Sequence, residues 1–146
     1  MQTKHRVALI IADVPSLKTA IMSEPTGETL RRFSEFSLAG IRPGSKGAAT
    51  FGKNFMKSAK ILGLQVAEED ALPDRILFAE HGQVGKSVAL GKSMMLAAIK
   101  RGRHEINLKD AERIYRKSNS GLDLTPFDSG AWDVVKAELQ AVGWGQ

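Results

Sequence analysis

The sequence predicts a mainly helical protein with a small α/β start: two short N-terminal strands, a helical bundle and a C-terminal amphipathic helix. Three observations carry this. Apolar residues recur at helical spacing in several separate segments, glycines and prolines stand between those segments, and only Arg6–Ala12 is a short continuous aliphatic run of the kind that fits a strand buried on both faces. The expected organisation is residues 1–46 as a partial α/β region, 47–117 as a four-helix bundle, and 118–146 as a linker and a last helix.

After Arg6–Ala12, Pro15 and Ser16 open a helix to about Met22, which the stretch from Ser23 to Gly27 closes. Phe36–Ala39 alternates like a half-buried strand, and Ile41 to Gly47 is rich in turn formers. Phe51, Phe55, Ala59 and Leu62 then step along one helix face, which Gly63 stops, predicting a helix over about 50–62. Asp70 is placed to cap a helix over about 70–81 whose inner residues are Leu72, Ile76, Leu77 and Ala79. Val84, Val88, Gly91, Met95 and Ala98 form the packed face of a helix over about 85–101, broken at Gly102. Asn107 caps a helix over about 108–117 with Leu108, Ala111, Ile114 and Tyr115 inward. Pro126 makes Leu122–Asp128 an extended linker, and Asp128 or Ser129 caps a last helix striped by Trp132, Val135, Leu139 and Val142.

Composition limits the chemistry. With no cysteine and only His5, His81 and His104, disulfides, thiol nucleophiles and thiolate or histidine metal sites are excluded or disfavoured, so neither cofactor nor metal is expected. No apolar run reaches membrane-spanning length, and the start Met1–Arg6 lacks a signal peptide's apolar segment, which points to the cytoplasm. The net charge of +5 is concentrated. From Lys86 to Lys117 cations outnumber anions heavily, so Lys92, Lys100, Arg101 and Arg103 are candidates for weak, sequence-independent contact with nucleic acid.

Gly82-Gln83-Val84-Gly85-Lys86-Ser87 imitates a phosphate loop after Ile76–Ala79, but that motif requires a glycine at position 80, where Glu80 would repel phosphate. The same stretch, with the leucines and alanines that follow, Ala98-Ile99, Gly102 and Ile106, resembles the lid subdomain of TniB/TnsC-type AAA+ transposition regulators. Arg6–Ala12 and the Arg31-Arg32-Phe33 segment resemble that family's sensor-one strand and arginine-finger region, with Ala12-Asp13 departing from the usual sensor position. The resemblance runs from about Arg6 to Tyr115 and implies the C-terminal half of the ATPase, without phosphate loop or acidic metal-binding strand and hence without catalysis. It makes Arg32, with Arg31, finger-like, and Lys86 sensor-two-like. It also implies transposition proteins as partners, docked on a tail helix through Phe127, Trp132, Val135 and Leu139, while the helix stripe equally fits packing on the chain's own bundle.

The leading expectation is therefore a non-catalytic module, or a remnant, acting through protein contacts and weak DNA contacts. The alternatives are a stand-alone basic helical nucleic-acid-binding protein and a degenerate phosphate-loop protein. In the family's sheet the two predicted strands flank the missing phosphate-loop strand, so their open edges predict a homodimer that shares a sheet.

Overall fold

The chain divides into two compact units, Met1–Leu38 and Ala39–Gln146. A computed structural model describes Thr19, residues 22–27 and residues 40–144. The strands predicted at Arg6–Ala12 and Phe36–Ala39, and the dimer argued from them, lie outside the described residues. In the first unit Ser23 N–H donates to the Thr19 carbonyl, and Gly27 has φ +61°, so the predicted stop after Met22 is present.

The second unit is mainly helical: α1 (Lys46–Ile61), α2 (Leu72–Ala79), α3 (Val84–Lys100), α4 (Leu108–Ser118) and α5 (Trp132–Ala141). Helix α1 begins earlier than predicted because Ser45 accepts the Ala48 N–H at 3.2 Å, satisfying a donor that the first turn leaves free. It ends as expected at Gly63, whose φ of +72° lets the chain turn while Leu64 N–H reaches back to the Ala59 carbonyl. Gly102, at φ +64°, closes α3 in the same way, and Asn107 Oδ1 caps α4 through Asp110 N–H at 2.9 Å. These boundaries are local, which is why spacing and punctuation reveal them.

Two caps differ from expectation. Asp70 belongs to a 3₁₀ turn, Glu68–Asp70, and Ala71 with φ 48° stands between it and α2, so Asp70 caps nothing. That start places Pro73 in the first turn of α2, where its missing N–H has no intrahelical acceptor to lose. Asp128 accepts the Thr125 N–H at 2.8 Å instead of capping α5, whose N-cap is Ala131. The predicted extended linker is thus a tight turn around Thr125–Asp128.

Two short strands are present where none was predicted. Strand β1 (Gln65–Val66) pairs in parallel with β2 (Glu105–Ile106), Gln65 opposite Glu105 and Val66 opposite Ile106. Parallel neighbours need a crossover, here supplied by α2 and α3. One core joins the elements, with Phe55, Leu72, Ile76, Met94, Ile106, Tyr115 and Phe127 among its members. Burying each of the larger side chains contributes about 1.5–3 kcal/mol. Gly91 is part of this packing: a Cβ there would lie 3.1 Å from the Phe55 ring, so the missing side chain lets α1 and α3 close on one another. The face predicted for α3 is only partly buried, since Gly91, Met95 and Ala98 are covered whereas Val84 and Val88 remain 52% and 38% exposed.

Candidate functional site

The Gly82–Ser87 segment is built for packing. Residues 76–79 lie in α2, where a phosphate loop would need a strand, so the phosphate-loop alternative loses its framework. Gly82 has φ +71°, and its carbonyl accepts the Ile41 N–H at 2.7 Å. A Cβ on Gly82 would stand 2.3 Å from the Ile41 oxygen, and one on Gly40 would stand 2.9 Å from the His81 oxygen. Two backbones therefore meet where the motif would hold phosphate. Lys86 is exposed in the first turn of α3, and Ser87 is buried with its Oγ lacking a hydrogen-bond partner among the described residues.

The basic surface is physically more distinctive. Helix α1 carries Lys46, Lys53, Lys57 and Lys60, helix α3 carries Lys86, Lys92 and Lys100, and neither contains a carboxylate. Among the described residues none of these lysines is in an ion pair. Just beyond α3 the charge is partly answered: the buried Asp110 holds Arg101 Nη1 at 3.0 Å, Arg103 Nη1 at 2.9 Å and Arg113 Nη1 at 3.6 Å. The Arg103 contact pairs charges without hydrogen-bond alignment, leaving Asp110 Oδ2 otherwise unsatisfied. Three guanidiniums on one carboxylate leave an excess of positive charge, and all three arginines are at least a third exposed. Of the predicted nucleic-acid residues, Lys92 and Lys100 are thus free on α3, while Arg101 and Arg103 are gathered by Asp110.

Arg31 and Arg32 lie outside the described residues. The predicted docking stripe requires correction, because Phe127, Val135 and Leu139 are only 1%, 3% and 0% exposed. They are core, covered by the chain's own α2 and α4 region: Phe127 meets the Tyr115 ring at 5.3 Å, and the Phe78 ring meets Trp132 at 5.4 Å. Val142, the last of the stripe, falls past the end of α5 and is 68% exposed.

What draws that segment inward is Arg75, a residue passed over in the sequence among the inner positions of α2. It is fully buried. Its Nε donates to the Asp70 carbonyl at 2.7 Å, Nη1 to Pro126 and Asp128 at 2.8 and 3.1 Å, and Nη2 to Gly130 at 2.7 Å. Its guanidinium carbon lies 5.1 Å from the centre of the Trp132 ring. A planar fork of donors suits several carbonyls at once. Burial still disfavours the cation and lowers the Arg75 pKa from its ordinary value, with Asp70 and Asp128 opposing the shift. The position offers one clue in sequence: Arg75 shares the inward face with Leu72, Ile76 and Ala79 at helical spacing, where a charge needs partners.

Among the described residues no three or more histidine, aspartate or glutamate side chains gather as a metal cluster, and no helix is long and apolar enough to cross a membrane. No family model, curated protein or solved structure matches the chain.

Proposed function

We propose that this chain is a non-catalytic contact module of the TniB/TnsC lid type, acting through protein contacts and weak, sequence-independent contacts with DNA. The observation that carries it is the pairing of two neighbouring helices, α1 and α3, that hold seven lysines between them and no carboxylate. Unpaired surface cations attract phosphate backbones by counterion release, which confers affinity without reading sequence. The order of helices α1 to α4, with Gly82 before α3 and Gly102 after it, supports the lid resemblance. The use of Gly82 against Ile41 and the helical state of residues 76–79 favour a module without nucleotide chemistry.

In this reading Lys92, Lys100, Arg101 and Arg103 make the DNA contact, and transposition proteins are the partner class. Fluorescence anisotropy with two duplexes of unrelated sequence tests it. Weak, equal binding that is lost on changing these four residues to alanine is expected. Strong preference for one duplex would instead favour a stand-alone sequence-reading protein. Calorimetry with ATP and Mg²⁺ should give no saturable heat at micromolar nucleotide; a binding isotherm abolished by Lys86→Ala would overturn the non-catalytic reading.

A further inference from the structure

Phe55 meets Gly91 at the floor of a groove of about 630 Å³ between α1 and α3. The α3 wall is aliphatic, with Val84 and Val88 exposed and Met95 deeper. Leu96 and Ile99, 52% and 45% exposed, continue apolar surface along the same helix. With a turn of about 100° per residue, these four exposed side chains fall within one third of the circumference of α3. Thr50, Asn54 and Ser58 form the α1 wall, and Lys46 and Lys92 stand among the lining residues. A trench with one apolar wall and one neutral polar wall, whose charged lining residues among those described are both lysines, selects an occupant with an apolar stripe and anionic edges.

We propose that this groove is the docking site for an acidic amphipathic helix of a partner protein. The proposal supplies the chemistry of the protein contact in the function above and rests on that reading. A helix presents anchors at i, i+3 or i+4, and i+7, which can enter a trench while its flanking carboxylates meet lysines on both walls. Nucleic acid fits this groove less well: base stacking needs open aromatic faces, whereas Phe55 is buried, the half-buried Phe51 is already stacked on it at 6.4 Å, and the accessible α3 wall is aliphatic. A bilayer surface is less complementary to a concave trench than a helix is. The site is also distinct from the Asp110 arginine cluster, since Val88 and Arg101 are separated by roughly 20 Å of helix rise.

The test uses the full chain and three labelled peptides of about four turns: one with a leucine stripe and glutamate elsewhere, the same stripe with lysine elsewhere, and a scrambled glutamate version. Anisotropy should show saturable binding of the first, at least about tenfold tighter than of the other two. The double variant Val84→Asn, Val88→Asn, which removes apolar surface without adding charge, should weaken it by about tenfold or more while leaving duplex DNA binding intact. Lys46→Glu with Lys92→Glu, both at exposed positions, should shift preference towards the lysine peptide, and circular dichroism checks that helix content is kept in both variants. Absence of glutamate-peptide binding, equal binding of the lysine peptide, or indifference to both double variants would overturn the proposal. Binding to anionic vesicles without binding to the glutamate peptide would also overturn it, assigning the face to membrane. Loss of DNA binding in the wild type with peptide binding retained would count against the nucleic-acid contact and support the groove.

Discussion

The two sides of the bundle treat polar and apolar groups in opposite ways. Beside α2, a guanidinium is fully buried and spends its donors on four carbonyls, fixing Thr125–Asp128 and α5 to the core. Beside α3, valines stay half in water and lysines have no ionic partner among the described residues. The first arrangement is a lock, because a buried charge with its partners in place is costly to disturb. The second leaves unspent affinity at the surface. In the proposed reading contact falls on the exposed side of α3, while its buried side, with Met94 and Ala98, belongs to the core.

The largest effect should come from breaking the lock. Arg75→Ala strands carbonyls of Asp70, Pro126, Asp128 and Gly130 and removes the cation beneath Trp132. A loss of about 3–5 kcal/mol is expected, read from urea unfolding with tryptophan fluorescence. Arg75→Lys should recover only part of it, since an ammonium cannot serve the same fork. Next comes Gly82→Ala, which forces a Cβ against the Ile41 backbone at positive φ and should cost about 2–4 kcal/mol. Gly85→Ala, in open space within α3, should be neutral or stabilise by up to about 1 kcal/mol. Equal effects at the two glycines would deny the close backbone approach.

Asp110→Asn sharpens the other side. Releasing Arg101, Arg103 and Arg113 should raise DNA affinity several-fold and steepen its salt dependence, at a stability cost of about 1 kcal/mol because the arginines are substantially exposed. The smallest expected effect is alkaline. Burial, reinforced by Glu80, raises the Tyr115 pKa above its ordinary 10.0. The unfolded chain therefore ionises this phenol first, and stability should fall as pH rises from about 10 towards the folded value. Tyr115→Phe should remove that component of the pH dependence of urea midpoints.

Which features were legible in the sequence follows from their range. Gly63, Gly102 and Asn107 act within a turn of their own position, so they marked the ends of α1 and α3 and the start of α4 correctly. The mainly helical class follows from such local signals. Arg75 was not legible because three of its four acceptors lie more than fifty residues away and all four belong to backbone, which carries no side-chain signature. The β1 and β2 pair is two residues long on each side, too short for alternation to register. Val84 and Val88 share the helical spacing of buried Met95, and periodicity alone does not say where a partner element ends, so spacing does not distinguish this groove from a packed face. The docking stripe at Phe127, Val135 and Leu139 was a correct amphipathic pattern whose partner is the chain itself.

The proposed DNA contact joins the free Lys92 and Lys100 to the two arginines held at Asp110, and the salt dependence of duplex binding tests it directly. If Lys92, Lys100, Arg101 and Arg103 contact phosphates, the logarithm of the binding constant should fall linearly with the logarithm of salt concentration, with a slope of about −2 to −4. Two duplexes of unrelated sequence should give the same line. A slope near zero, or affinity that persists at high salt on one sequence alone, would contradict the account.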